Sequence, residues 1–275
     1  MTEASEWRGR VGRTWAEQWR RTDRAFGQLT DRLLAATRGL DFAHALDIGC
    51  GAGELTLALA RNRPDACVTG VDVSPDLLAV ARRRGTNRSN VRFMEGDAAQ
   101  WTPRPHQSPS FLTSRHGVMF FEDSVAAFAN LAGHAAPRAR LLFSCFRERS
   151  DNPFFTEPAR QLPQAPEPPA PGAPGPFAFA DRAHVERILG AAGWGDPVFD
   201  RFDFPMIAGA GENAVDEAVA YFLNIGPVAS ATASLDGLAR DRLTERLRNL
   251  AERSCRGDIV SLPASTWLVT ATALA

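Results

Sequence analysis

The 275-residue sequence predicts an α/β fold built on a doubly wound, mostly parallel sheet. Three observations predict it. From residue 43 onward, short apolar runs with strand character alternate with amphipathic helical runs, the pattern of βαβ units. The stretch Ala45-Leu46-Asp47-Ile48-Gly49-Cys50-Gly51-Ala52-Gly53-Glu54 joins a strand to a helix through three closely spaced glycines. Three acids, Asp47, Asp72 and Asp97, fall at or just past the ends of the first three strands, where such sheets bind ligands.

Taken in order, residues 12–38 carry Trp15, Trp19, Phe26, Leu29, Leu33 and Leu34 at helical spacing, so one or two amphipathic helices precede the sheet. Together, residues 1–40 read as a helical cover and 41–275 as the sheet domain. Strand 43–47 leads into helix 54–61, strand 67–72 into helix 75–84, and strand 91–94 follows. A short apolar run at 111–114, a helix at 124–132 and a strand at 139–146 continue the alternation. Residues 163–176 are punctuated by proline and glycine and lack a hydrophobic period. They predict an extended loop, which makes 150–180 a candidate lid or a solvated connector. A helix at 181–192 ends at Gly193-Trp194-Gly195, and a strand at 197–204 follows. Helical stretches 213–224 and 235–253 form an insertion, taken as 206–256, before a last strand at 258–270.

The glycine loop is where chemistry concentrates. Glycines allow a tight turn and close backbone approach, and the helix that follows offers unpaired N–H groups. A dinucleotide fingerprint, G-x-G-x-x-G, would need a third glycine where Glu54 stands, which argues against an NAD-dependent oxidoreductase. Composition narrows the partners further. With 31 basic and 32 acidic residues the net charge is −1, so no global field favours nucleic acid or an anionic membrane. All the basic residues are Arg, which removes lysine chemistry. The cysteines at 50, 67, 145 and 255 form no C-x-x-C pair, so neither a metal site nor a disulfide framework is expected. No apolar run is long enough to span a membrane and the start of the chain lacks an export signal; a cytoplasmic protein is the expectation.

The motifs Asp47-Ile48-Gly49-Cys50-Gly51-Ala52-Gly53, Gly70-Val71-Asp72-Val73 and Gly96-Asp97-Ala98 resemble those of class I S-adenosylmethionine (SAM) dependent methyltransferases. That resemblance covers about residues 40–205 plus the final strand. It implies a Rossmann-like seven-stranded sheet of order 3-2-1-4-5-7-6 with strand 7 antiparallel. It also implies that Gly49, Cys50, Gly51 and Gly53 approach the methionine part of SAM, and that Asp47 orients the loop or binds the amino group. Asp72 would accept both ribose hydroxyls, Val73 would flank the adenine, and Gly96, Asp97 and Ala98 would meet its edge. The run Ser114-Arg115-His116-Gly117-Val118-Met119-Phe120-Phe121 resembles a bacterial subgroup of small-molecule methyltransferases. There Ser114 and Arg115 sit at the cofactor edge, strand 4 begins here with Pro109-Ser110 in place of the usual Asp, and His116 stands where an aromatic residue is more usual.

Acceptor residues follow from position. His116, after strand 4, is the candidate general base, with a packed histidine as the alternative. Arg147, after strand 5, would face a substrate carboxylate or pair with Glu148 or Asp151 at the surface. Trp15 and Trp19 would cover the site or anchor the core; Met119 and Phe120 would form an apolar wall. The expected activity is methyl transfer from SAM, leaving S-adenosylhomocysteine, to a small organic acceptor, with O-methylation favoured. A SAM-binding protein without transfer activity, acting as a sensor or assembly partner, is the competing reading. Monomer and homodimer are both open.

Overall fold

Five strands run parallel: β1 His44–Ile48, β2 Cys67–Asp72, β3 Val91–Glu95, β4 Phe111–Arg115 and β5 Arg140–Phe146. Two long strands, β6 Trp194–Ala210 and β8 Ile259–Ala273, pair antiparallel with each other, and β8 also pairs antiparallel with β5. The sheet order is β3-β2-β1-β4-β5-β8-β6, with a two-residue strand, β7 Cys255–Arg256, hairpinned onto β8. This is the expected order with an eighth strand added by β7. The computed structural model describes residues 4–164, 170, 172–232 and 235–274.

The N-terminal region departs from the one or two helices expected. It forms four short ones: α1 Ala4–Arg8, α2 Arg10–Glu17, α3 Trp19–Ala25 and α4 Gly27–Ala36. The junctions at Gly9, Gln18 and Phe26 have no capping side chain, and single-residue breaks of this kind leave the apolar period intact. The later helices start where their caps dictate. Ser74 accepts from Leu77 N–H at 3.3 Å with Pro75 in the first turn of α6 Pro75–Arg84, which follows α5 Glu54–Asn62. Asp123 caps α7 Ser124–His134 through Ala126 N–H, before α8 Pro153–Ala159. Asp181 caps α9 Arg182–Ala191 through Ala183 N–H. Then come α10 Ala214–Asn224, α11 Pro227–Thr232 and α12 Gly237–Arg253.

Strand β6 runs to Ala210, where the sequence reading stops at residue 204. Pro205 looks like a terminator, but β6 is the edge strand, so a residue without an N–H breaks no ladder on its free side. Its partner Pro263 lies beyond Thr266, the last residue of β8 paired with β5. The inserted helices therefore begin at residue 214, after a longer strand. Glu217 on α10 receives both Nε (2.9 Å) and Nη2 (2.7 Å) of Arg21, which ties the N-terminal helices to the insertion.

The region read as a lid is partly folded. Residues 153–159 are α8, Phe154 and Phe179 are buried, and Gly175 N–H donates to Met119 C=O at 3.0 Å. Part of the extended loop expected at 163–176, namely 165–169 and 171, lies outside the described residues.

Candidate functional site

One large cavity, about 650 Å³, opens above the carboxyl ends of β1, β2 and β4. Its floor is the glycine loop. Gly49, Gly51 and Gly53 all have positive φ (64°, 53° and 84°). A Cβ on Gly49 would lie 2.8 Å from the Cα of Gly117, so the loop after β1 and the loop after β4 touch backbone to backbone. Ser114 bridges the two: its Oγ donates to Ile48 C=O at 2.7 Å and accepts from Gly117 N–H at 3.0 Å.

Three acids converge on this floor. Asp72, at the end of β2, accepts from Gly51 N–H at 2.7 Å and from Ser74 N–H at 2.8 Å, one on each oxygen. A carboxylate oxygen has two acceptor positions, so each keeps one for a ligand. Burial raises the Asp72 carboxyl, and the backbone N–H groups oppose that rise. Asp97 accepts from Ala99 N–H at 2.9 Å through Oδ1. Asp47 is 1% exposed; Oδ2 accepts from Thr56 Oγ at 2.6 Å while Oδ1 is buried with no partner. Burial pushes its carboxyl up to about 7, against the pull of the Thr56 hydrogen bond and Arg115. An unpaired oxygen of this kind is a place for a cationic or N–H-bearing ligand group.

The roof comes from the N terminus. Trp7 meets Trp15 edge-on at 5.3 Å and Phe120 at 5.2 Å, and all three line the cavity. Below them Asp23 on α3 pairs with Arg84 Nη2 at 2.8 Å and with Arg115 Nη2 at 3.5 Å. Arg84 also pairs with Glu54 and donates to Ala52 C=O at 2.8 Å. Arg115 donates to Thr30 Oγ at 2.8 Å. Burial raises the Asp23 carboxyl to about 6 although both arginines pull it down. This network fastens the N-terminal helices across the mouth of the glycine loop.

His116 adopts a left-handed backbone, φ 67°. Its Nδ1 lies 3.2 Å from Ser144 C=O and 3.3 Å from Ser144 Oγ, and Nε2 is buried without a partner. Burial, with Arg115 beside it, lowers its pKa to about 3.

Of the residues singled out from sequence, Trp15, Asp47, Gly49, Cys50, Gly51, Asp72, Val73, Gly96, Asp97, Ala98, Arg115, His116, Met119 and Phe120 all line this cavity. Four do not. Gly53 turns toward the Phe93 ring and Ala81, where a Cβ would fall 2.9 and 3.0 Å away. Ser114 lies beneath the loops it bridges. Trp19 stays outside, packed under Arg84 at 4.1 Å and Arg20 at 4.5 Å. Arg147 stacks on Trp267 at 4.5 Å and pairs with Asp151 at 3.0 Å, because the chain turns away after β5. Cys50 lines the cavity as a buried thiol whose pKa burial raises well above the usual value. Sequence reasoning missed Trp7, Asp23, Phe26, Tyr221 and Phe222, all of which line the cavity. The spacing of Phe26 reads as ordinary core, and no local motif marks Trp7, Asp23, Tyr221 or Phe222 for the site. Among the described residues no three His, Cys, Asp or Glu side chains are arranged to hold a metal ion, and no helix is long and apolar enough to cross a membrane.

The sheet order and the glycine–acid floor define a Rossmann-like methyltransferase domain. Residues 45–138 match the family model described as a methyltransferase domain, which supports a class I SAM-dependent methyltransferase. The chain is 31% identical over 157 residues to a trans-aconitate 2-methyltransferase of Paracidovorax citrulli, covering 56% of this chain and 55% of that protein. It is 38% identical over 98 residues to a demethylmenaquinone methyltransferase of Thermus thermophilus, covering 35% of this chain and 44% of that one. The chain thus spans about half the length of these curated relatives. Among solved structures, the YcgJ protein of Bacillus subtilis shares the fold with TM-score 0.53 and 17% identity over 91% of this chain and 98% of that one. So does phosphoethanolamine N-methyltransferase 2 of Haemonchus contortus, with TM-score 0.54 and 17% identity over 95% of this chain and 57% of that one.

Proposed function

We propose that this chain is a cytoplasmic SAM-dependent methyltransferase acting on a small organic molecule, with oxygen as the acceptor atom. The observation that carries this is the set of acids on the cavity floor. Asp47 Oδ1 is buried and unpartnered, Asp72 keeps one acceptor position on each oxygen, and both flank the glycine loop. These features fit SAM: Asp47 for its ammonium, Asp72 for the two ribose hydroxyls, Asp97 Oδ2 for the adenine amine, with Val73 and Ala98 flanking the ring. When bound, SAM supplies a methyl group already activated by a sulfonium. What remains for the protein is alignment and exclusion of water, which Trp7, Trp15 and Phe120 supply from above. The floor also carries net negative charge, which suits a cationic donor. Relatives named for trans-aconitate and demethylmenaquinone support a small-molecule acceptor. The balanced charge of the chain supports a partner other than nucleic acid.

Calorimetric titration with S-adenosylhomocysteine tests the reading. Saturable binding that Asp72→Ala weakens by at least tenfold is the expected result, since a hydrogen bond to a charged group contributes about 1.5–3 kcal/mol. Absence of binding to folded, ligand-free protein overturns it.

A further inference from the structure

The cavity changes character away from the glycine loop. Phe26, Phe146, Phe154, Phe155 and Phe222 form an aromatic wall, and two polar side chains, His116 and Tyr221, are set into it. The His116 ring stacks on Phe146 (centroids 4.1 Å, 21°) and meets Phe26 edge-on at 5.4 Å. Its Nδ1 lies 3.2 Å from Ser144 C=O and 3.3 Å from Ser144 Oγ; a carbonyl can only accept, so the tautomer that satisfies it carries the proton on Nδ1 and the lone pair on Nε2. Nε2 lies on the other side of the ring, buried and without a partner, in a residue that lines the cavity. Leaving a buried acceptor of this kind unpaired is costly. A ligand O–H on Nε2 removes that cost. Tyr221 on α10, 2% exposed, meets Phe154 edge-on at 5.5 Å, and burial keeps its hydroxyl protonated.

The charges set a second condition. The lining holds six acids, Asp23, Asp47, Asp72, Asp97, Glu122 and Asp123, against two arginines, Arg8 and Arg115. Arg115 is already engaged by Asp23 and Thr30. An anionic acceptor would meet this acidic surround and lose its hydration against phenylalanine rings.

We propose that the aromatic wall binds a neutral, ring-containing acceptor whose hydroxyl donates to His116 Nε2, with the Tyr221 hydroxyl as its second polar partner, and that polycarboxylates are poor acceptors. This rests on the methyl-transfer reading above. In the transfer step the acceptor oxygen forms its bond to the methyl carbon as the carbon–sulfur bond breaks, and sulfur keeps that electron pair. The alkylated oxygen, still bearing its proton, is a far stronger acid than an imidazolium. Its proton therefore passes to Nε2 even though burial holds the His116 pKa near 3, and leaves to water with the product.

The test is a fluorescence titration of the S-adenosylhomocysteine-loaded protein with 2-naphthol and with naphthalene, and competition of 2-naphthoate and trans-aconitate against 2-naphthol. S-adenosylhomocysteine affinity is measured on every sample. The expected result is at least tenfold tighter binding of 2-naphthol than of naphthalene and no competition by either anion. His116→Asn, which tolerates the left-handed backbone, should cut the preference for 2-naphthol over naphthalene at least twofold while leaving S-adenosylhomocysteine binding intact. Tyr221→Phe keeps the ring packing, so it reads the same site even where the His116 variant fails to fold. It should weaken 2-naphthol about fivefold and leave naphthalene unchanged. Normal S-adenosylhomocysteine binding with no preference for 2-naphthol, or with an anion bound more tightly, overturns the acceptor assignment alone. Loss of S-adenosylhomocysteine binding in the unaltered protein overturns the methyltransferase reading beneath it.

Discussion

Asp47 makes cofactor affinity depend on pH in a direction the structure determines. Its carboxyl is raised from 3.8 to about 7 in the ligand-free protein, chiefly by burial. An ammonium beside Oδ1 favours the ionised form, so the binding-competent protein is the fraction with Asp47 deprotonated. That fraction is roughly one half at pH 7, about one tenth at pH 6 and about one hundredth at pH 5, and the apparent affinity falls with it. S-adenosylhomocysteine should therefore bind about tenfold more weakly at pH 6, and about 100-fold more weakly at pH 5, than on its plateau above pH 7. Calorimetry at pH 5 to 7.5, in buffers of different ionisation enthalpy, should also show a proton released on binding below pH 7. The groups facing Asp47 are Thr56 on α5, Arg115 on β4 and Asp72 on β2, and Asp23 titrates near 6 across the cavity mouth. Asp47→Asn should flatten the dependence, whereas Asp23→Asn should leave a slope near pH 7. An affinity constant from pH 5 to 7.5, or a slope that survives Asp47→Asn, refutes the assignment.

The same raised carboxyl bears on stability. A carboxyl whose pKa rises on folding stabilises the native state at low pH, and that contribution is lost as pH rises through about 7. Asp47→Asn should thus stabilise ligand-free protein at pH 8 by at most about 4 kcal/mol, seen as a higher melting temperature, while weakening S-adenosylhomocysteine binding. Gly49→Ala forces a Cβ at φ 64° to within 2.8 Å of Gly117 and should cost about 1–3 kcal/mol in denaturant unfolding. Gly96→Ala, with nothing within 4 Å of the added carbon, should be close to neutral in the same assay. Arg84→Ala leaves Asp23 and Glu54 facing each other under the roof. It should speed proteolysis of the N-terminal helices, and unchanged cleavage would show that the ion-pair network does not fasten them. Arg147→Ala should lower thermal stability, through the lost stacking on Trp267, without altering ligand affinity.

Much of this protein is determined by local sequence. Alternating apolar periods and the glycines at 49, 51 and 53 are short-range signals. They are enough to predict the alternating strands and helices and the positions of Asp47, Asp72 and Asp97, because a strand end followed by a tight turn puts its acid at the sheet's carboxyl edge whatever packs around it, while the strand order follows from the family resemblance those motifs carry. The acceptor side was not legible in the same way. Arg147 and His116 both follow a central strand, yet one stacks outward on Trp267 and the other is locked between Phe146 and Phe26. Trp15 and Trp19 sit one turn apart, yet only Trp15 lines the cavity, while Trp19 packs against Arg84. Tyr221 reaches the site from a helix about 100 residues downstream of His116, and Asp23 is raised by its burial in the assembled site, against the pull of Arg84 and Arg115. Such outcomes depend on which long-range surfaces meet, since burial, orphaned polar atoms and shifted pKa values are properties of the assembled interior and of no single stretch of chain.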